Sequence, residues 1–443
     1  MGASEYKRIG FVGFGRSNRG VFEYLKRTGE LHFTLRTPEA CGDISGIHRY
    51  RCGKDYLSDI DEDILFISPA VRRSLPELLR ARERGVILSS DAELFFALTK
   101  ADVYAVTGSS GKSTVTALIS GMLAERGIYA PAAGNFGKSL SSLIGRCEAV
   151  AAELSSFQLM YTEPRTKRAL ITNITPNHLD WHADMDEYVR AKLNIVKRSS
   201  AVITDFDSGL CEEKLGKIPF VLVSSDYRYS ELCRLSRAEN YLTLRENTVH
   251  LNGKPYVSVE DAPRRERHNL KNFMLAIGAT LGVCSPEDCR AAIMKFGGLS
   301  HRAERVGECG GICFINSSID TSPERTLETL RALRADTVVI ISGKNKGLPL
   351  SSLAEQLPAL TVGAVLMGDI GRELAPLLDK DYRYVFAEEL DSAIPRACDI
   401  LGSAGNVILS PAGTSFDKFK SYEERGDAYR LAVKKYIKTV KED

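Results

Sequence analysis

The chain lacks most of what would commit it to a membrane, a nucleic acid or a disulfide scaffold. No run of about 18 apolar residues occurs, so no segment reads as a membrane-spanning helix. The opening MGASEYKRIGFVG has no apolar signal core and carries Tyr6 where a myristoylation motif needs Ser or Thr, so a cytoplasmic protein is expected. Charge of one sign is not in excess either: 59 Lys and Arg face 57 Asp and Glu. With no basic tract interleaved with aromatics, neither nucleic acid nor an anionic membrane is an expected partner. The ten cysteines are scattered, and the nearest pairs, Cys284/Cys289 and Cys309/Cys313, lack the two-by-two spacing of a zinc site. Buried or incidental thiols are expected. A Gly-x-Ser-x-Gly elbow and a nucleophilic cysteine signature are missing too, which removes the usual routes to covalent catalysis.

What is present is αβ alternation in three stretches, which suits a chain of 443 residues with 44% apolar and 26% charged side chains. Up to residue 91, RIGFVGFG, LHFTL, DILFIS and GVILSS read as strands, and RSLPELLRARERG reads as a helix. A second region, 92–298, contains LRENTVHLNGKPYVSV, a hairpin turning at Asn252 and Gly253. From 299 to 443 the strands ICFIN, TVVIISG, AVLMG, YRYVFA and NVILSP alternate with helices, the pattern of another open parallel sheet.

The most informative stretch is VTGSSGKST, residues 106–114, which follows the strand DVYAV and opens a helix with an apolar face of Val115, Leu118, Ile119 and Met122. Gly108 and Gly111 allow a tight backbone around Ser109 and Ser110, Lys112 supplies a cation for phosphates, and Ser113 offers magnesium a hydroxyl beside Thr114. Val106 stands where the general phosphate-loop pattern begins with glycine. Further on, the apolar strand in EAVAAELSSF ends on Glu153, an oxygen ligand suited to the same ion. His178, in NITPNHLDWH, lies beyond another strand end and reads equally as ligand or turn residue. In the next helix Lys192 falls within the apolar stripe of Tyr188, Val189, Ile195 and Val196. A desolvated amine there can act as a nucleophile, meet an acid or take up carbon dioxide as a carbamate; snorkelling or an ordinary ion pair is the plainer alternative. In the first region GFGRSNRG keeps Gly13 and Gly15, but Asn18 breaks the dinucleotide fingerprint and the second strand ends in Arg36 and Thr37 instead of an acid, which disfavours NAD.

The blocks TGSSGKST, AGNFG, ELSSFQL, NITPNHLDWH, RAKLNIV, RHNLKNFMLA, GLSHRAERV and SPAGTSFDKFKSYEERG occur in the order seen in Mur ligases, which the chain resembles over essentially its whole length. The resemblance implies an α/β protein of three domains: a Rossmann-like UDP-binding domain (1–91), a P-loop ATPase-like ligase domain (92–298) and a Rossmann-like amino-acid-binding domain (299–443). It implies a cytoplasmic, monomeric, ATP-dependent ligase of peptidoglycan precursor synthesis that adds D-glutamate to UDP-N-acetylmuramoyl-L-alanine through an acyl phosphate. The absence of Asp-Asn-Pro-Arg, carried by the sister ligase for diaminopimelate, favours glutamate. By the same resemblance, residues 108–114 take the ATP phosphates, His268 and Asn272 the adenine, and Arg302, beside His301, the nucleotide at a domain junction. Ser113 and Glu153 would hold one magnesium ion, His178 and a carbamylated Lys192 a second. Gly15, Arg16, Ser17, Arg36, Thr37, Ser68 and Asn135 would meet the UDP-muramyl substrate; Thr321, Lys346, Ser415 and the Tyr422 backbone would meet D-glutamate. A hinge is expected near Gly298 to His301.

One block departs. Relatives often read Asn-Asp-Ser-Lys-Ala-Thr-Asn where this chain reads NSSIDTS, so Ser317 replaces an acid and Ile319 a lysine, while Asp320 could restore the charge only if it pointed the same way. Asn177 also stands where relatives often carry an acid. The rival readings are a non-catalytic regulator descended from a ligase, a ligase for another amino acid, and a folylpolyglutamate synthase, which would lack the first domain.

Overall fold

The β-rich runs before residue 91 form a five-stranded parallel sheet in the computed structural model, which describes residues 7–38, 42–177, 181–208, 210, 212–333, 335–402 and 404–442. Its order is Arg49–Cys52, His32–Thr37, Arg8–Val12, Ile64–Ile67, Ile87–Ser89. The chain begins on the central strand, winds to one edge and then crosses to the other, which leaves a switch point between Val12 and Ile67 where ligands of open αβ sheets bind. The strand Arg49–Cys52 escapes the sequence reading because RYRC is polar and lies at the sheet edge. Asn18, which spoils the dinucleotide fingerprint, serves the fold instead. Its buried amide donates to the carbonyls of Val12, Gly13 and Phe66 and ties the two strand ends together.

The second sheet has nine strands, with Asp102–Thr107 between Arg168–Ile171 and Ala149–Glu153, all parallel. Val115, Leu118, Ile119 and Met122 pack on one face of it; Tyr188, Ile195 and Val196 belong to the cluster on the other. At the far edge the expected turn at Asn252–Gly253 is present, with φ of 50° and 81°. A second turn at Glu246–Asn247, φ 45° and 59°, makes the segment a three-stranded meander of Asn240–Arg245, Thr248–Leu251 and Lys254–Ser258 instead of a single hairpin. Glu-Asn is a weak turn signal because both residues bear a Cβ at positive φ.

Both sheets belong to one compact unit, Met1–Phe296; Gly297–Asp443 forms the other. The second unit is built on a six-stranded sheet ordered Glu304–Cys309, Ile312–Asn316, Gly405–Ala412, Thr337–Ser342, Gly363–Leu366, Tyr384–Phe386, parallel except for the first pair. Among the described residues no helix is long and apolar enough to cross a membrane.

Candidate functional site

The phosphate loop leaves the strand Asp102–Thr107 and enters the helix Lys112–Glu125 through two glycines at positive φ, Gly108 at 146° and Gly111 at 81°. Neither tolerates a side chain: a Cβ on Gly108 would stand 1.8 Å from Thr172 Oγ1, and one on Gly111 would stand 2.6 Å from Asn272 Oδ1. The second contact brings Asn272, on the helix Arg267–Thr280, against the loop; His268 is exposed near the start of that helix. Thr172 and Asn173 brace the loop from the neighbouring strand end, Thr172 Oγ1 donating to Ser110 O at 2.6 Å and Asn173 Oδ1 accepting from Ser110 N at 2.9 Å. Ser109 Oγ lies 2.9 Å from both Thr175 O and the Tyr188 hydroxyl. Lys112 Nζ is curled over its own loop, donating to Gly108 O and Ser109 O at 2.9 Å each. An ammonium aimed into a backbone cradle is chemically matched to a phosphate.

At the foot of the loop, Ser113 Oγ donates to Glu153 Oε2 across 2.7 Å, both residues buried. Hard oxygens from a hydroxyl and a carboxylate suit magnesium, which keeps part of its water shell and takes further oxygens from a phosphate. Asn135 extends this pair: its Nδ2 donates to Glu153 Oε1 at 2.7 Å, and its carbonyl accepts from Arg16 Nη2 at 2.6 Å. Residues assigned on sequence to the UDP-muramyl substrate and to the metal are thereby joined in one hydrogen-bonded chain.

Lys192 is 2% exposed and, among the described residues, has no carboxylate partner. Its Nζ donates to Gly108 O at 2.7 Å and lies 4.4 Å from the centre of the Tyr188 ring. Burial, reinforced by the nearby Lys112 and opposed by Glu153, lowers its pKa to about 6. The snorkelling and ion-pair readings are thus set aside for a buried amine beside the phosphate loop, whose charged form burial disfavours. His178 lies outside the described residues. His182 is within them and buried, with Nε2 2.9 Å from Ser156 Oγ and Nδ1 3.2 Å from Glu187 Oε2; burial lowers its pKa against the opposing pull of Glu187.

Around the first sheet's switch point, Gly15 caps the helix Arg16–Leu25, and Ser68 faces Gly13, whose Cβ would stand 3.2 Å from that of Ser68. Ser17, Thr37 and Ser68 are partly exposed. Arg36 is not brought to this group. Its side chain is fully buried, and every guanidinium N–H is committed: Nε and Nη2 to Glu62 at 2.9 and 3.0 Å, Nη1 to the carbonyls of Tyr56 and Ser58, and Nη2 also to Asp59 O. The side chain of Arg36, which the sequence assigned to the UDP-muramyl substrate, is therefore committed within the fold, where it closes the 56–62 loop, and offers a substrate no free N–H.

In the second unit, the loops after three neighbouring parallel strands converge. Lys346 Nζ donates to Thr321 Oγ1 at 3.2 Å, and Ser415 is buried beyond the strand Gly405–Ala412. Ser318 Oγ donates to Tyr422 O at 2.8 Å. A residue not singled out on sequence, Arg425, organises the group: it is 1% exposed and donates to Ser318 Oγ and O at 3.0 Å, to Gly413 O at 3.1 Å and to Ser342 O at 3.4 Å. Burial brings its pKa down to about 10, against the attraction of Asp417 and Asp320. Nothing in the local pattern YEERGD distinguishes it from an ordinary helix-surface arginine. Asp320 is buried, accepting from Ser410 Oγ at 2.8 Å, while Ser317 Oγ accepts from Ala303 N at 3.2 Å. Arg302 is exposed and His301 buried, with φ of 62° and Nδ1 3.1 Å from Asn316 Nδ2.

Residues 106–280, which include the phosphate loop, Glu153 and Lys192, match the Mur ligase middle domain. The chain is 33% identical to a UDP-N-acetylmuramoylalanine--D-glutamate ligase of Ruminiclostridium cellulolyticum, with 96% of each chain covered. It is 32% identical to the protein of that name from Clostridium botulinum, with 97% of each covered. Among solved structures, the UDP-N-acetylmuramate-alanine ligase MurC of Thermotoga maritima aligns with a TM-score of 0.58 at 20% identity, over 98% of this chain and 100% of that one. MurF of Acinetobacter baumannii aligns at 0.54 and 16% identity, over 94% and 91%. These two likenesses speak for the fold.

Proposed function

The chain belongs to the Mur ligase family, and on that premise we propose that it joins D-glutamate to UDP-N-acetylmuramoyl-L-alanine with hydrolysis of ATP. The observation that supports the reading is the hydrogen-bonded set of Arg16, Asn135, Glu153 and Ser113, which joins the loop expected to take the sugar nucleotide to the phosphate loop. The reading divides the first unit at residue 91, giving three functional domains: UDP-muramyl binding (1–91), ATP binding and ligation (92–298) and amino-acid binding (299–443). It is a cytoplasmic, monomeric enzyme of peptidoglycan precursor synthesis.

In this reading Gly15, Arg16, Ser17, Thr37 and Ser68 hold the UDP portion and Asn135 the muramyl portion. Backbone N–H groups of residues 108–114 and Lys112 take the ATP phosphates, with His268, Asn272 and Arg302 on the rest of the nucleotide. Ser113 and Glu153 hold one magnesium ion, and His178 with Lys192, as its carbamate, a second. Bound magnesium supplies charge neutralisation for phosphoryl transfer. Burial that favours the neutral amine of Lys192 supports carbamate formation, since only the free amine attacks carbon dioxide.

A carboxylate oxygen of the muramyl substrate forms a bond to the γ-phosphorus as the bond to the β,γ-bridging oxygen breaks, releasing ADP. Lys112 exchanges its two loop carbonyls for phosphate oxygens, so its charge is already in place when negative charge shifts. Thr321, Lys346, Ser415 and the Tyr422 backbone hold D-glutamate by its two carboxylates. The free amine then attacks the acyl phosphate, forms the amide, gives up its proton and displaces phosphate. Arg425 keeps the loops that carry these contacts in register.

The test is phosphate release from ATP by the purified protein with UDP-N-acetylmuramoyl-L-alanine and magnesium, comparing D-glutamate with L-glutamate, L-lysine and diaminopimelate and identifying the product by mass. Product with D-glutamate alone is the expected result. Turnover with another amino acid would overturn the glutamate assignment, and nucleotide binding without product in any pairing would overturn the catalytic one.

A further inference from the structure

Two arginines follow one another in the loop that leaves the strand Ile64–Ile67, and among the described residues only one of them has acceptors. Arg73 donates through Nη1 to Glu93 Oε1 at 3.1 Å and to Leu88 O at 3.3 Å, pairs through Nη2 with Glu93 Oε2, and lies over the Tyr161 ring at 4.4 Å. That grip anchors the loop. Arg72, half-buried, has neither a carboxylate nor a hydrogen-bond acceptor among the described residues; it lies over the Trp181 ring, 4.9 Å from its centre.

Trp181 is itself fixed, its ring centre 4.3 Å from that of Phe157 and 4.8 Å from that of His182, which is bonded to Ser156. Its indole Nε1–H is closed off from solvent and has no acceptor among the described residues. An arginine stacked on an aromatic face is held in orientation while its charge and its in-plane donors stay available. Among the described residues, two adjacent donors therefore lack an acceptor at one place.

The segments that frame that place lead to two parts of the candidate site. The loop of Arg72 starts at Ser68, at the switch point of the first sheet, and the shelf under Trp181 is Ser156–Phe157, which directly follows Glu153 and Leu154. In the ligase reading the diphosphate takes the start of the helix Arg16–Leu25 and Arg16 itself. What must extend from there towards Glu153 is the arm that carries the reacting carboxylate, and a planar guanidinium edge matches a carboxylate with two parallel N–H donors.

Resting on the ligase reading above, we propose that Arg72, aimed by Trp181, is a specificity-determining residue that binds the carboxylate of the lactoyl-alanine arm of the UDP-muramyl substrate. It selects sugar nucleotides that bear this arm over those that do not.

The experiment is calorimetric titration of the full chain and its Arg72→Ala and Arg72→Lys variants with UDP-N-acetylmuramoyl-L-alanine and with UDP-N-acetylglucosamine, which lacks the carboxylate arm. Arg72→Ala should weaken the first ligand about tenfold to a hundredfold, as expected for a charged hydrogen-bonded contact, and leave the second unchanged. Arg72→Lys should recover part of the loss. If Arg72→Ala lowers the melting temperature, the ratio of the two affinities in Arg72→Lys decides, because a general loss of folded protein cannot change that ratio. Equal weakening of both ligands, or of neither, would overturn the proposal alone. Failure of the unaltered protein to bind UDP-N-acetylmuramoyl-L-alanine would overturn the ligase reading and this inference with it.

Discussion

The ε-amine of Lys192 donates to the carbonyl of Gly108 across 2.7 Å, so a lysine on an apolar helix stripe is tied to the first glycine of the phosphate loop. The bond gives the amine a partner without giving it a counter-charge, and burial with Lys112 nearby lowers its pKa to about 6.

This has a consequence for stability. Between about 6 and the ordinary lysine value of 10.5 the unfolded chain holds a proton at Lys192 that the folded chain does not, so its contribution to stability rises with pH across that window. It falls as pH drops towards 6 and levels off below. Lys192→Met, which keeps the length without the charge, should flatten this slope in melting temperature against pH. An unchanged slope would mean that the amine is protonated in the fold.

Carbamylation is a separate matter with its own readout. Protein equilibrated with isotopically labelled bicarbonate at mildly alkaline pH should show a labelled carbamate carbon by NMR, absent from Lys192→Met. Equal signals from both proteins would place the label elsewhere.

Glu153 accepts from Ser113 and Asn135 in a buried setting, so Glu153→Gln keeps the volume but loses the anionic oxygen a magnesium ion needs. Turnover should fall about a hundredfold or more with the melting temperature nearly unchanged. Retention of activity would remove Glu153 from the metal set.

Arg36 and Glu62 form a buried pair in which neither side chain reaches solvent. Arg36→Met leaves Arg49, 3.0 Å away, as the remaining cation on the Glu62 carboxylate and strands the carbonyls of residues 56, 58 and 59, and should cost about 3 kcal/mol in denaturant unfolding. The double variant Arg36→Met/Glu62→Leu should recover part of that. A loss confined to the Michaelis constant for the UDP substrate, without loss of stability, would restore a binding role to Arg36.

Asp320 illustrates how charge in a sequence need not be charge at a site. Its carboxylate is buried against Ser410, and burial raises its pKa despite the hydroxyls of Ser317, Thr329 and Ser410. Asp320→Asn should therefore leave kcat within about threefold of the unaltered protein. It should also remove a loss of stability that accompanies rising pH through the raised carboxyl pKa, where the fold holds the proton and the unfolded chain has released it. A collapse of turnover would show that Asp320 does the work of the acid that Ser317 replaces.

The sequence by itself determined the α/β class and the strand succession, because runs such as VVII (338–341) and VIL (407–409) are apolar throughout and are buried on both faces of parallel sheets. It also determined the phosphate loop, since glycines at 108 and 111 and a lysine at 112 are local requirements of backbone shape and charge. The inward position of Lys192 was legible from helix spacing alone. Only the tertiary structure decided what each polar side chain faces. Arg36 and Arg425 sit in unremarkable local patterns, and their roles come from carbonyls and acids brought close by strands and loops distant in sequence. The contrast between Arg72 and Arg73, adjacent in the chain, exists only because Glu93 and Tyr161 fold against one and Trp181 against the other. Backbone geometry is set by near neighbours, whereas the partner of a long charged side chain is set by packing of the whole fold, so sequence order carries the first and leaves out the second.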